Sequence, residues 1–545
     1  GLTLNLGARY EVATIPTEKD GKFVNLYHIG DQYPVCGTYL PPYCNAVGKI
    51  FNSNPTLFNV DPRFGFAWSP LRNDKMSVRG GMGMFAVLPL PDQLLLTEGQ
   101  AAPFFKYTIL KQGTSFFHGI PPIDQLPNNS LRSIHMSPNP GLSYLYQYNL
   151  SIQYELAPSV AMMVAYVGSN GFQMPYRVDN VVGTIPTATN AGGGFIFPKV
   201  DVLGNTWNPT LGCTQTDPNG ADPDACTGPA LTNNYYGTVR GMFYDGRSNY
   251  NALEVGVTKR LSHGLQLQGS FTWGRSLDTN SATIAGDQFA NSISSLPWWN
   301  TRLSWAPSDF NVKRNFLLST LYNIPGPKSG FAPARWAANG WEMGGILTLQ
   351  DGVPFTALWG TGSDPSNSFS GDDYAYPQIL RSKPGCGGLL VNPGNPQNYI
   401  KTDCFSVPTA PDQAYWNANC TPAPPSLGAP VSQSPQVPSL ACFNLMGNVR
   451  RNFQYGPGIA NLDFSLYKNN FFPRISETFN VQFRAEAFNV ANHPDFSGPN
   501  VYDANSDLFD GTGASLAPSA GGNGGQLVRT TVPQREIQFA VKVIF

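Results

Sequence analysis

The sequence predicts an all-β protein, a transmembrane antiparallel β-barrel of the outer-membrane kind, and three observations predict it. Segments of apolar–polar alternation recur twelve times, the connections between them alternate long and short, and all eight cysteines fall in the long connections. Composition agrees: of 545 residues only 13% are charged, against a usual ~25%, while 56 Gly, 48 Pro and 12% aromatics disfavour a helical protein. No run approaches the roughly 18 apolar residues of a membrane-spanning helix. A net charge of −1 with scattered Lys and Arg leaves no footprint for nucleic acid. A 41% hydrophobic content argues against compositional disorder. The opening residues GLTLNLGARYE carry neither the basic nor the apolar region of a signal peptide, so Gly1 is not expected to be a natural start.

Taken in chain order, the first segment sets Leu2, Leu4 and Leu6 against Thr3, Asn5 and Arg9. Leu150, Ile152, Tyr154 and Leu156 then oppose Ser151, Gln153 and Glu155, and Leu253, Val255 and Val257 oppose Glu254, Thr258 and Arg260. The cleanest alternation puts Leu265, Leu267, Phe271 and Trp273 on one face and Gln266, Gln268, Ser270 and Thr272 on the other. Phe316, Leu318 and Tyr322 face away from Asn315, Ser319 and Asn323, as do Phe479, Val481 and Phe483 from Asn480, Gln482 and Arg484. The last run sets Ile537, Phe539, Val541, Val543 and Phe545 against Glu536, Gln538 and Lys542. The expected strands are 2–16, 60–70, 76–87, 143–156, 160–167, 248–260, 265–275, 314–324, 341–351, 457–467, 478–491 and 535–545. Each is near the ~9 to 11 residues that a tilted membrane strand needs.

Alternation alone does not separate a soluble sandwich from a barrel in lipid; the connections do. Residues 17–59, 88–142, 168–247, 276–313, 352–456 and 492–534 are long, whereas 71–75, 157–159, 261–264 and 468–477 are short and 325–340 is moderate. Sorting long loops to one side and short turns to the other is the habit of an outer-membrane barrel, with long loops extracellular and short turns periplasmic. The terminal run ending on Phe545 fits a closing strand whose apolar face meets lipid; in a soluble domain it would be an aggregation-prone edge.

Cys36, Cys44, Cys213, Cys226, Cys386, Cys404, Cys420 and Cys442 all lie on the extracellular side of this scheme. An even number confined to such loops reads as disulfides in an oxidising compartment. Cys36–Cys44 and Cys213–Cys226 are the local pairs; the last four allow three connectivities, of which Cys386–Cys404 with Cys420–Cys442 is favoured. Metal-site spacing is absent.

Little else in the chain points to chemistry. His28, His118, His135, His263 and His493 are isolated, with no HExxH and no GxSxG partner, and His263 reads as a turn residue. Gly80–Gly83 and Gly521–Gly525 lack the features of a phosphate loop. No enzyme is expected and no catalytic residue is assigned. Asp217, Asp222 and Asp224, between Cys213 and Cys226, could offer oxygens to a structural Ca²⁺, as could Asp364, Asp372 and Asp373 or Asp503, Asp507 and Asp510; the plainer reading is solvated loop carboxylates, since none follows a calcium-loop pattern. No other cofactor is expected. Arg9, Glu11, Arg79, Glu155, Glu254, Arg260, Arg484 and Glu486 fall on the lumen side, where they either dock a plug or line a solute path, or simply sit in water. Trp207, Trp298, Trp299 and Trp359 are candidates for ligand contact or for an interfacial girdle.

The segments DPRFGFAWSP (61–70), SVRGGMGMF (77–85), YNLSIQYELAPSVAMMVAYVGSNG (148–171) and SNYNALEVGVTKRLSHGLQLQGSFTWGRSLD (248–278) together resemble Oar-like TonB-dependent receptors of the Acidobacteria type. So do DFNVKRNFLLSTLYNIP (309–325), GWEMGGILTLQDGVPFT (340–356), GPGIANLDFSLYKN (456–469), FNVQFRAEAFNVANHPDF (479–496) and the terminal strand. The resemblance implies a barrel of about 22 strands with a plug in its lumen, a TonB box and an N-terminal carboxypeptidase-regulatory-like domain. Residues 1–545 carry none of the last three and about twelve strands, so the chain is expected to be the C-terminal part of such a barrel. Two bare sheet edges in lipid are prohibitive, so the sheet must close on itself or pair with further strands.

The expected function is binding and import of a large or scarce solute across the bacterial outer membrane, energised through TonB. The expected partners are outer-membrane lipid, a plug-bearing segment in the same or another chain, and TonB through the N-terminal part. The alternative is a structural or adhesion protein whose disulfide-braced loops make surface protein contacts.

Overall fold

The computed structural model describes residues 1–31, 46–48, 50–71, 73, 75–89, 99–102, 104–105, 132–178, 180–182, 188–189, 195–196, 207–208, 213–214, 232–233, 236, 238–282, 298–359, 376–407, 447–510 and 514–545. Twelve long strands form one meandering sheet. They are β1 (Leu2–Tyr10), β2 (Val60–Trp68), β3 (Met76–Val87), β4 (Ser143–Ala157), β5 (Val160–Val178), β6 (Thr238–Ser262), β7 (Leu265–Asp278), β8 (Arg314–Asn323), β9 (Trp341–Gln350), β10 (Ile459–Phe471), β11 (Asn480–Phe488) and β12 (Glu536–Ile544). Each pairs antiparallel with the next in sequence. The one helix of regular α geometry among the described residues, α1 (Ala332–Ala338), lies in the connection from β8 to β9.

All twelve expected strands are present, with corrected ends. β1 stops at Tyr10 rather than 16: Glu11 N–H makes one more in-register bond, to Asn59 O (3.4 Å), and Ala13 N–H then turns to the Thr56 side chain (3.0 Å). β5 continues to Val178 and β6 begins at Thr238, well beyond the expected 160–167 and 248–260. This extra ladder pairs Gly241 with Val178 and contains irregularities between Phe243 and Ser248. It escapes the alternation test because both of its faces are partly covered: Tyr176, Val178, Val239 and Met242 are buried against loops. The short turns behave as the sequence implies. His263 (φ 53°) and Gly264 (φ 78°) make a two-residue hairpin turn between Ser262 and Leu265, the left-handed pair that matches strand twist.

The alternation has a physical meaning in the wall. Leu6 is 78% exposed and Phe539 is 79% exposed, alongside Leu150, Ile152, Leu156 and Trp273. An apolar surface this continuous is tenable where hydrocarbon, not water, covers it; among the described residues no helix is long and apolar enough to cross a membrane. The two sheet edges are open: β1 pairs with β2 and β12 with β11, and every residue of β1 is exposed.

The buried core sits elsewhere, in the extracellular loops. One lobe gathers Phe23, Val24, Leu26, Ile50, Ile134 and Met136 from the β1–β2 and β3–β4 connections around the tops of β5 and β6. Asn25 cross-links it, donating to Ile50 O (2.9 Å) and Met136 O (2.8 Å) and accepting from Met136 N–H (2.8 Å). A second lobe gathers Phe355, Leu358, Trp359, Ile400, Phe405, Val449 and Leu508 from the β9–β10 and β11–β12 connections. Trp299, from the β7–β8 connection, packs against both lobes.

Candidate ligand-binding lobes and lumen wall

On the polar face, the cross-strand register lines up Glu254, Thr272 and Asn315, then Gln350 beyond them. Toward the periplasmic end this face forms a hollow of about 780 Å³ lined by Lys75, Arg79, Arg260 and Glu155 with Ser77, Gln153 and Gln268. Three cations and one carboxylate give it a positive balance. Arg79 Nε donates to Ser77 Oγ (3.1 Å), which aims the guanidinium along the wall. The structure therefore brings Arg79, Glu155 and Arg260 together and leaves the other lumen charges apart. Arg9 pairs with Glu11 at the far end of β1. On the opposite flank Arg484 Nε donates to Gln482 (2.6 Å) and its guanidinium stacks on the Tyr467 ring, whose hydroxyl donates to Glu486 (3.2 Å).

Above the wall, the second lobe is fixed by a buried polar clamp that the sequence reading missed. Arg451, 1% exposed, donates through Nη1 to Asp309 Oδ1 (2.9 Å), through Nε to Ser304 O (3.2 Å) and through Nη2 to Asp278 O (2.9 Å) and the Asp278 carboxylate. Asn452 adds a bond to the same Asp309 oxygen (2.6 Å) and one to Pro307 O (2.8 Å). Burial alone would lower the Arg451 guanidinium, but Asp278 and Asp309 outweigh it and hold its pKa above the usual value. The clamp ties the foot of the β9–β10 loop to the top of β7 and the β7–β8 connection. Its signal in sequence is the Arg450–Arg451–Asn452 run in a chain poor in charge, at the end of a long loop. The expected disulfide Cys386–Cys404 is present in this lobe, with Cα atoms 5.4 Å apart. Tyr399 beside it is pushed up to about 12 by burial and donates to Tyr455 O (2.8 Å).

In the first lobe His135 is buried, its Nδ1 2.8 Å from Leu26 O, and burial lowers its pKa. Trp298 stacks on Phe243 (6.3 Å between centroids), which stacks on Tyr176; burial raises the Tyr176 and Tyr236 hydroxyls above the usual phenol range. Trp298 and Trp359 are thus lobe-core residues, not members of a membrane girdle. The outward girdle on this flank is instead Tyr146, Tyr148 and Tyr166, the last two bonding Asn251 Oδ1 (2.8 and 2.6 Å) where the wall leaves the membrane.

The remaining predicted residues divide cleanly. Cys36, Cys44, Cys226, Cys420, Cys442, Asp217, Asp222, Asp224, Asp364, Asp372 and Asp373 lie outside the described residues, as does the Cys213 side chain. Asp503, Asp507 and Asp510 do not converge: Asp503 takes two bonds from Arg529 (2.7 Å each), Asp510 accepts from Ala514 N–H (2.9 Å) and Asp507 is buried. Cys386, Asp403 and Cys404 lie close enough to suit a metal, yet both sulfurs are spent in the disulfide.

A family profile described as "Outer membrane beta barrel domain" matches residues 1–538. Among solved structures, the chain is similar to the outer membrane transporter YddB from Escherichia coli, with 9% identity and a TM-score of 0.40 over 89% of this chain and 41% of that one. It is also similar to the FrpB iron transporter from Neisseria meningitidis (12%, TM-score 0.33, 89% of this chain, 39% of that one) and the siderophore receptor PiuA from Acinetobacter baumannii (8%, 0.33, 89% and 36%). The chain therefore spans about two-fifths of the length of these structures. No curated protein matches it.

Proposed function

Because the chain belongs to the outer membrane beta barrel domain family and resides in the bacterial outer membrane, we propose that it forms the C-terminal part of the wall of a TonB-dependent receptor that binds and imports a large or scarce solute. The observation that carries the reading is a twelve-stranded wall left open at both edges beneath two packed extracellular lobes. In hydrocarbon an unpaired backbone group costs several kcal/mol, so β1 and β12 call for partners, and about ten further strands, in the same or another chain, would complete a plugged barrel of about 22 strands. The mechanism follows from the layers. The lobes hold the solute at the cell surface, and the polar wall carries it past a plug that TonB displaces. The positive hollow around Lys75, Arg79 and Arg260 is suited to acidic side chains of that plug. No catalytic step is invoked.

Peptide mass spectrometry on the protein purified from its native membrane tests this directly. Peptides of a plug and of further strands, upstream of Gly1 or on a tightly bound chain, are the expected result. A polypeptide beginning at Gly1 and purifying alone would overturn it.

A further inference from the structure

The periplasmic connection between β8 and β9 is built unlike the two-residue turns Pro158–Ser159 and His263–Gly264. It carries α1, none of whose residues is buried, with Phe331 76% and Trp336 60% exposed. Its position is fixed by two side chains of the wall. Trp341 Nε1 donates to Ala337 O (2.7 Å), and Lys468 Nζ donates to Trp336 O (2.9 Å) and Asn339 O (2.6 Å). Trp341 and Lys468 are direct cross-strand partners, in register with Phe483 and Val541 on the apolar, outward face. The helix therefore lies against the outside of the wall at its periplasmic rim, the depth of the inner-leaflet headgroups.

Charge and shape at this rim point the same way. Residues 324–341 contain Lys328 and Arg335 and no Asp or Glu. Arg335 reaches back to Lys328 O (3.5 Å), and Lys468 lies 5.1 Å from the centre of the Trp336 ring. Among the described residues no carboxylate pairs with any of these three cations; the Lys468 ammonium spends its protons on neutral acceptors, Asn470 Oδ1 (3.1 Å) included. Above Lys468 an apolar groove of about 350 Å³ follows the outward face, floored by Ala485 and flanked by Leu466, Phe483, Phe539 and Val541. An uncompensated basic rim with interfacial tryptophans, continuous with a groove in a lipid-facing wall, matches one amphiphile of opposite charge.

We propose that α1 and this groove form a binding site for one anionic phospholipid of the inner leaflet, its phosphate held at Lys328 and Arg335 with the Lys468 charge nearby, and one acyl chain laid over Ala485. The site rests on the outward face meeting lipid and is independent of import.

Native mass spectrometry of the protein taken from its own membrane into phosphatidylethanolamine nanodiscs doped with phosphatidylglycerol reads the site. The intact protein should retain one phosphatidylglycerol in preference to phosphatidylethanolamine. Lys328→Gln with Arg335→Gln, both at exposed positions, should lower that retention roughly thirtyfold, at roughly fivefold per charge. Ala485→Trp leaves every cation in place and fills the groove, and should also release the lipid. Equal retention of the two lipids by the unaltered protein, or phosphatidylglycerol retention unmoved by the charge variant, overturns the proposal. Loss in the charge variant with full retention in Ala485→Trp would make this a phosphate site without a chain, and also overturns it.

Discussion

The wall and the lobes above it use apolar side chains in opposite ways. In β1 and β12 Leu6 and Phe539 point outward and stay exposed, whereas Phe355, Leu358, Trp359 and Ile400 in the second lobe are almost wholly buried. Charge follows suit: the wall keeps its carboxylates and guanidiniums in a wet interior, while the lobe buries Arg451 with Asp278 and Asp309. The difference teaches that lipid replaces the core in one region, so the wall needs only the right face and a closed backbone. The lobes stand in water and must fold like a small soluble domain, with packing, a disulfide and a hydrogen-bonded buried clamp.

If the two regions are held by different forces, they should fail separately. The largest expected effect is at the clamp. Arg451→Leu leaves two carboxylates buried without their cation, at a cost of about 3–5 kcal/mol; protease cleavage within 447–458 should rise sharply while the wall keeps its heat-modifiable mobility on gels. Equal loss of the wall would break the comparison. Cys386→Ser opens a bridge between residues 18 apart, worth about 3 kcal/mol on the chain-entropy account, and hydrogen exchange should accelerate in 376–407 and not in β9 or β10.

A matched pair sharpens the wall itself. Phe271→Arg puts a charge on the lipid face and should cost about 2–4 kcal/mol near mid-membrane, whereas Ser270→Arg on the adjacent, lumen face should change urea-monitored folding into vesicles by close to zero. The smallest effect belongs to His135. Burial holds its folded pKa below the ordinary value of 6.5, so the unfolded chain takes up the proton first. The first lobe should therefore keep its full stability above about pH 6.5 and lose it as pH falls toward the folded pKa. Trp fluorescence melts that soften on acidification, with the softening absent in His135→Gln, are the expected outcome.

The same contrast explains what was legible in the sequence. The wall announces itself because each β-strand residue faces either lipid or water, and Leu265 to Trp273 spells that out at period 2. The extensions Gly168–Val178 and Thr238–Arg247 are hidden because loops partly cover both of their faces and erase the alternation. The Cys386–Cys404 bridge was readable from short separation within one loop; the Arg451 clamp was not, since its partners Asp278 and Asp309 stand 173 and 142 residues away and only folding brings them together. Arg79, Glu155 and Arg260 were each placed on the lumen side from parity, but their meeting in one hollow depends on strand register that parity does not contain.

The central claim is that the twelve strands are one arc of a larger, plugged wall. Single-particle imaging of the protein purified from its native outer membrane measures it most directly. The account predicts that β1 and β12 each pair with a further strand, in a barrel of about 22 strands with a folded domain in its lumen. A closed barrel in which β1 pairs with β12, with nothing but solvent inside, would contradict it.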